Sequence, residues 1–401
     1  SRGLGDVYKR QLFSNTLTYF TYPHVSLFRL PGSVGKGIAQ AMLPIALLVI
    51  LTINRKLIVR PNVFLCLVSL LIADAIMNAI APETLGTALR TIRMAGFVTA
   101  LWLLTPWWGR RDLLLARGYL VWLWWVLGSV LVGLMISPHK ARDEGRLTGI
   151  IWTIPPTQVA HYAAIATGMV VVLWFSGYLR SRTALIGAIV GVAMLIETRT
   201  RTALAAMIAS ILVAGLSLIV AKARVRKFFA TAGAVIAIAI MGFSAAITAW
   251  LERGQSTSGI SELTGRTQVW APLLAYPRNK FQEIFGFGLS NASFKGNPID
   301  GNWPSSYWQL GLFGVVVCVI IVFYLLVTAY FQPRGVGRAL ALFLITYCLV
   351  ASFTEDGFTD VSPYLLEITL AASLLVPSLE SNSLILRLCL VSNLPISDRP
   401  L

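Results

Sequence analysis

The chain has 401 residues, of which 56% are hydrophobic and only 12% are charged, and its mean hydropathy is +0.73. A soluble domain carries about 25% charged residues, so this composition excludes a water-soluble fold. The net charge of +16 is spread over short loops instead of one basic domain, which excludes a nucleic-acid-binding protein and leaves the lipid bilayer as the expected environment.

Long apolar segments follow one another along the chain and are bounded by Arg and Lys. A bilayer needs roughly 20 apolar residues per helical span, so the pattern predicts about eleven transmembrane helices. The alternating pattern of a β-barrel is absent. The predicted fold class is therefore an all-α polytopic integral membrane protein. Its spans are expected at residues 38–53, 62–80, 94–108, 114–136, 157–176, 183–197, 202–221, 228–249, 308–330, 338–354 and 363–379.

Residues 12–380 are expected to form a single membrane domain, because no fixed-period repeat and no long linker divides them. The opening residues 1–11 fit no signal peptide and resemble translated adapter sequence, so they are interpreted as a non-native leader. Residues 381–401 are interpreted as a C-terminal tail. Eleven is an odd number of spans, and the first span is expected to start outside. One further span is therefore expected upstream, which gives about twelve spans in the intact protein.

Basic residues concentrate in alternate loops. The loops after the first, third, fifth, seventh and ninth spans hold many bases against one acid, Asp112, and the positive-inside rule places them in the cytoplasm. The opposite loops, at 81–93, 137–149, 198–201, 250–307 and 355–362, are then extracytoplasmic. Loop 250–307 is too long for a tight connection, so function is expected to concentrate there. The cytoplasmic bases are Arg55, Lys56, Arg60, Arg110, Arg111, Arg117, Arg180, Arg182, Lys222, Arg224, Arg226, Lys227, Arg334 and Arg338.

Arginines on the predicted outer face form a candidate anion site. Arg199 and Arg201 lie in ETRTRTAL (197–204), in a turn too short to leave the interface. Guanidinium and hydroxyl groups bind phosphate oxygens well, so this turn suits a diphosphate. The alternative is a pair of interface anchors that pair with Glu197. Arg146 and Arg266 are expected on the same face, and together with Arg201 they would make a strong anion site.

Several carboxylates of that face can take a proton from an attacking hydroxyl, and spacing does not rank them. They are Asp300, Glu262, Glu355, Asp356 and Asp360. Arg90 and Arg93, near the start of the third span, are interpreted as snorkelling side chains. His161 is interpreted as a core histidine of the fifth span. Because the chain has no Walker loop, dinucleotide fingerprint or zinc motif, no cofactor or metal is expected.

Short segments in order along the chain carry a recognisable pattern. They are Arg146-Leu-Thr-Gly149, Arg201-Thr-Ala-Leu-Ala205, Leu263-Thr-Gly-Arg-Thr-Gln-Val-Trp270, Phe285-Gly-Phe-Gly288 and Gly311-Leu-Phe-Gly314. Together with the large outer loop, they resemble the O-antigen ligase and polymerase superfamily. The resemblance covers residues 140–330, and upstream of them only the run of spans agrees.

The resemblance implies an inverting membrane glycosyltransferase of surface polysaccharide biosynthesis. It would move or polymerise a polyprenyl-diphosphate-linked glycan on the outer face of a bacterial cytoplasmic membrane, with a glycan or lipid as acceptor. The ligase branch has a His base before the Gly-x-x-Gly segment, where this chain has Asp300, so Asp300 is the expected base. Thr157 and Gln158 also replace the family's usual Asn, which leaves ligase and polymerase both open. The residues expected to bind the diphosphate are Arg146, Arg201, Arg266 and Arg199.

Other functions also stay open. A lipid-linked oligosaccharide flippase or transporter could bind a diphosphate through the same arginines without cleaving it. Transporters usually have broken helices in two corresponding halves, and the sequence shows no such pair. The cell-wall glycosyltransferases of the shape and division type share the donor class but lack these motifs.

Overall fold

The computed structural model describes residues 32–79, 85–110, 112–233, 266–289 and 293–377. Two short hairpins pair β1 (Arg142–Asp143) with β2 (Arg146–Leu147) and β3 (Ser293–Phe294) with β4 (Asn297–Pro298). Residues 223–233 are also helical. The remaining helices are α1 (Gly32–Ile53), α2 (Val63–Ala79), α3 (Leu85–Leu104), α4 (Asp112–Ile136), α5 (Pro156–Phe175), α6 (Ser181–Thr198), α7 (Arg201–Leu218), α8 (Arg266–Leu274), α9 (Lys280–Phe285), α10 (Asn302–Phe331), α11 (Val336–Ala351) and α12 (Pro363–Leu374).

Many of these helices are apolar over a length that matches a bilayer. Helical segments long enough to cross a membrane are Gly86–Trp107, Asp112–Ile136, Pro156–Phe175, Ser181–Thr198, Arg201–Leu218 and Asn302–Phe331. Shorter apolar helices are Ala41–Ile53, Val63–Asn78, Val336–Ala351 and Pro363–Leu374. The protein is thus mostly helical, with several helices of membrane-spanning length. The total of eleven spans stays a prediction, and most of the span predicted at 228–249 lies outside the described residues.

The third predicted span begins earlier than expected. Helix α3 starts at Leu85, whereas the apolar pattern placed the start at residue 94. The difference arises because Arg90 and Arg93 lie within the helix. Nη2 of Arg93 donates a hydrogen bond to the Val361 carbonyl at 3.1 Å, so the protein accommodates this charge and Arg93 does not simply snorkel to the interface.

Helix α5 is the centre of the bundle. Within an 18-residue apolar stretch of this helix, 89% of the residues are buried. The helix packs against α4, α6, α7 and α11. Glycines permit two of these close approaches, since a Cβ on Gly168 would collide with the Phe343 ring and one on Gly191 would collide with Thr167 Oγ1. Small residues at such contacts let helices associate in a bilayer, where packing replaces the hydrophobic effect.

Helix α10 is broken at Gly311, where the backbone has φ 62° and ψ −161°. The segment after α9 fills the break, since a Cβ on Gly286 would collide with the backbone of residues 309–311. The N–H groups of residues 287 and 288 donate to the carbonyls of Trp308 and Gln309 at 3.1 and 2.8 Å. These bonds satisfy polar groups that a break would otherwise expose. The segments 285–288 and 311–314 therefore pack against each other.

Candidate functional site

Loops from distant parts of the chain meet at one end of the bundle. The hairpin between α4 and α5 contacts the turn between α6 and α7 through Arg146. The loop between α11 and α12 contacts the start of α10, where the Asn302 N–H donates to the Ser352 carbonyl at 2.8 Å. Arg93 of α3 reaches the same loop. The described parts of the loops predicted on the outer side therefore share one end of the bundle. Which side of a membrane this end faces stays a prediction.

Arg146 is held against the turn between α6 and α7 by the β1–β2 hairpin. Glu144 and Gly145 at its tip have φ values of 49° and 72°, as a two-residue type I′ turn requires. Arg146 Nε donates to the Thr198 carbonyl at 3.1 Å, and Nη2 donates to Thr200 Oγ1 at 3.2 Å. Burial lowers the pKa of this guanidinium, while nearby acids, chiefly Glu144, raise it. The Nη1 group has no hydrogen bond to the residues described, so it can bind a ligand.

Arg199 and Arg201 flank that turn. Arg199 ends α6 in the left-handed conformation at φ 52°, is exposed, and its Nη1 lies over Gly145. Arg201 is the first residue of α7 and is half-buried. Glu197, the partner considered for both, forms an ion pair with Arg142 at 3.3 Å. The structure thus brings the turn and the Arg146 hairpin together, whereas the membrane face on which they lie stays a prediction.

Arg266 and Asp300 form an ion pair in the large loop. Arg266 Nε lies 3.4 Å from Asp300 Oδ2, with side-chain exposures of 22% and 51%. Trp270 of α8 donates its indole N–H to the Asp300 carbonyl at 2.7 Å, which ties the helix to the segment before α10. The carboxylate expected as the base is thus engaged by one of the arginines expected to bind the diphosphate.

Glu355 lies among the charges of this end. It is half-buried in the loop between α11 and α12. Burial raises its pKa, Arg266 lowers it, Asp300 raises it, and His161 and Arg146 lower it. Among the residues that the structure describes, the Glu355 carboxylate has no hydrogen-bond or ion-pair partner. The Arg146 and Arg266 charges therefore both act on one available carboxylate, which sequence spacing did not rank above its rivals.

Asp356 faces the polar start of α10. Ser305 Oγ donates to Asp356 Oδ2 at 2.7 Å, and Gln309 Nε2 donates to Ser305 Oγ at 2.7 Å. The other oxygen, Oδ1, is buried and has no hydrogen-bond partner in the described part of the chain. Burial raises the pKa of Asp356 to about 7, although the Ser305 hydrogen bond and the Arg90 charge oppose this. The charge of Asp356 therefore changes near neutral pH.

His161 is buried beside a carboxylate that the sequence analysis missed. Its Nε2 lies 2.9 Å from Glu367 Oε1, and Tyr119 Oη donates to the same oxygen at 2.7 Å. The Tyr364 ring centroid is 4.3 Å from that of His161. Glu367 sits inside the predicted span 363–379 with 0% exposure. A carboxylate within an apolar span is costly unless it has partners, and that cost was the available signal.

Arg278 orders the segment between α8 and α9. Its guanidinium carbon lies 4.2 Å from the Tyr307 ring centroid and 5.1 Å from that of Trp308. It donates to the Tyr307 carbonyl at 3.1 Å and to the Leu273 carbonyl at 3.2 Å. With these partners, Arg278 is a structural cation that fixes the large loop on α10.

An apolar groove of 720 Å³ runs along α4 towards the Arg146 hairpin. Gly128 is one of its lining residues, and a Cβ added there would have no atom within 4 Å. The groove ends at Ile151 and Trp152, in the loop that follows the hairpin. Its lining residues are Val121, Trp122, Trp124, Trp125, Val126, Gly128, Ser129, Val132, Ile151 and Trp152.

The candidate site therefore has two parts. Arg146 and the turn at 198–201 form one part, and the Arg266–Asp300 pair forms the other. The charges of Arg146, Arg266 and Asp300 all act on the Glu355 carboxylate. Glu262 lies outside the described residues, and Asp360 accepts a hydrogen bond from the Val361 N–H at 2.6 Å. No family model and no curated protein matches this sequence.

Proposed function

We propose that this protein is a membrane glycosyltransferase that moves or polymerises a polyprenyl-diphosphate-linked glycan at the outer face of a bacterial cytoplasmic membrane. The observation that carries the proposal is the meeting of Arg146, the 198–201 turn and the Arg266–Asp300 pair around Glu355, at one end of an apolar helical bundle. Several cations beside an available carboxylate fit a reaction in which a diphosphate leaves and a carboxylate accepts a proton.

The diphosphate would be bound by the arginines. Arg146 can offer Nη1 while its other nitrogens hold the turn, and Arg199 and Arg201 add charge from the two sides of that turn. Arg266 would contribute from the large loop. Cations placed where charge develops on a leaving group can contribute several kcal/mol to catalysis. An acceptor hydroxyl would attack the anomeric carbon from the opposite face, with inversion, and Asp300 is the base that the family resemblance implies.

The isoprenoid tail of the donor would lie in the tryptophan-lined groove along α4. The groove is apolar and ends at the loop that follows the Arg146 hairpin. A lipid diphosphate that enters sideways from the bilayer could then keep its tail in hydrocarbon while its head group reaches the arginines. This arrangement needs no soluble cofactor.

A flippase is the second candidate, and the break in α10 at Gly311 favours it. Broken helices line the substrate path of many transporters, where they occur in corresponding halves. Among the described helices, α10 is the one with a non-helical residue inside it. The segment 286–288 packs into that break, and this supports a fixed structural role over a gate.

The test is glycan transfer by purified protein in proteoliposomes with a polyprenyl-diphosphate-linked glycan. We expect release of free polyprenyl diphosphate and growth of the acceptor, and Arg146→Lys and Arg266→Lys should each lower kcat/KM by about a hundredfold. Arg142→Lys is the matched control, because Arg142 is an exposed arginine of the same hairpin. Movement of the donor across the bilayer without cleavage would instead identify a flippase.

A further inference from the structure

The carboxylate expected as the base is poorly placed to accept a proton. Asp300 lies within 3.4 Å of the Arg266 guanidinium and is half-exposed to water. The Asp300 carboxylate is therefore already paired with a guanidinium, whereas a base must be free to accept the proton of the acceptor. If Asp300 were protonated during the reaction, its ion pair with Arg266 would also be lost while Arg266 carries the charge of the leaving group.

Glu355 lies in a more suitable environment. Its carboxylate has no hydrogen-bond or ion-pair partner among the described residues, and it is half-buried. The charges of Arg266, His161 and Arg146 act on it and favour an ionised carboxylate that can receive a proton. Burial acts in the opposite direction and strengthens the base.

The backbone fixes Glu355 relative to Asp300. The Glu355 N–H donates to the Ala351 carbonyl at 2.9 Å, which ties Glu355 to the last residue of α11. The same loop is bound twice to Asn302, because the Asn302 N–H donates to Ser352 at 2.8 Å and the Phe358 N–H donates to Asn302 Oδ1 at 2.9 Å. Asn302 is two residues beyond Asp300. The two carboxylates therefore belong to segments that hydrogen bonds hold together.

We infer, on the basis of the function proposed above, that Glu355 accepts the proton of the acceptor hydroxyl and that Asp300 is a positioning residue that holds Arg266. The oxygen of the acceptor forms a bond with the anomeric carbon of the donor sugar. The bond between that carbon and the diphosphate oxygen breaks, and its electron pair leaves with the polyprenyl diphosphate. The hydroxyl proton passes to the Glu355 carboxylate.

Paired variants separate the roles of the two carboxylates. Glu355→Gln should lower kcat by about a hundredfold or more and leave the KM of the donor near its wild-type value. Asp300→Asn should mainly raise the KM of the donor, because the ion pair between Arg266 and residue 300 is lost, with a smaller effect on kcat. Glu283→Gln is the control, since it removes an exposed carboxylate of α9. All variants are compared for folding by thermal unfolding in detergent.

Chemical rescue makes the test independent of a single substitution. Formate added to Glu355→Ala should restore part of the turnover, whereas formate added to Asp300→Ala should not. Full turnover of Glu355→Gln, or rescue of Asp300→Ala alone, would overturn the inference and make Asp300 the base. A wild-type protein that releases no polyprenyl diphosphate would instead refute the proposed function, so the two failures are distinguishable.

Discussion

Replacing Asp356 by Asn should raise the stability of the folded protein at neutral pH. Asp356 has a pKa of about 7 in the folded protein against 3.8 for a free side chain, because it is buried against α10. A carboxyl that binds its proton more tightly when folded makes the free energy of unfolding fall as pH rises from about 4 to about 7. One pKa unit corresponds to about 1.36 kcal/mol. A pKa difference of about 3 therefore lowers the free energy of unfolding above pH 7 by at most about 4 kcal/mol.

The Asn variant removes this cost while its Oδ1 can still accept the Ser305 hydrogen bond. Its new N–H groups would cost about 1–3 kcal/mol if they are left without partners, so the net gain is about 1–3 kcal/mol. The assay is thermal unfolding in detergent at pH 5 and pH 8. The wild-type midpoint should fall at the higher pH, and the variant should lose most of that difference.

Glu283→Gln controls for the removal of a carboxylate as such, because Glu283 is exposed in α9. A wild-type midpoint that does not fall between pH 5 and pH 8 would refute the argument. So would an Asn variant with an unchanged pH dependence. Either result would mean that Asp356 reaches water in the folded protein.

Other predictions concern the topology, the break in α10 and the groove. In a background without other cysteines, Lys295→Cys at the exposed tip of the β3–β4 hairpin should react with an impermeant maleimide in intact cells. Lys56→Cys should react only after lysis. The reverse pattern would mean that the predicted topology is inverted. Gly286→Ala should destabilise the protein by about 2–3 kcal/mol, measured as a lower unfolding midpoint, because φ 78° and ψ −162° suit glycine alone and a Cβ would meet the Gln309 carbonyl. Gly118→Ala, in an open position of α4, should instead leave stability unchanged or higher. Gly128→Leu should fill the groove and raise the KM of a long-chain donor but not of a short-chain one, whereas Gly118→Leu on the same helix should alter neither.

Helix positions followed well from the apolar pattern. The predicted span 114–136 and α4 (Asp112–Ile136) agree within two residues at the start. The prediction was wrong for the start of α3, because hydropathy alone cannot show that Arg93 has a carbonyl partner on a loop far away in sequence. Glu367 was missed for the same reason, since its partners Tyr119 and His161 lie on other helices.

The candidate site was partly predictable. The arginines were predicted to share one face because consecutive spans alternate in direction, which puts alternate loops on the same side of the membrane. Their partners could not be assigned, because Arg266 pairs with Asp300 and Arg146 with the 198–200 turn through contacts between distant segments. Spacing did not rank Glu355 against Asp300, and only the family resemblance favoured Asp300. In the structure, Asp300 has an arginine partner and Glu355 has none among the described residues.

Composition and hydropathy specify a helical chain with bilayer-length apolar segments and a strong asymmetry of basic loops, and they predict one face for a set of arginines. These properties depend on composition and on the fixed rise of a helix, which are local. The packing of the helices and loops determines which side chains share an electrostatic environment and which carboxylates have an ion-pair partner. Burial and charge pairing act through space over a few ångströms, so they depend on how α5, α10, α11 and the loops around them pack, and the order of residues along the chain does not specify that packing.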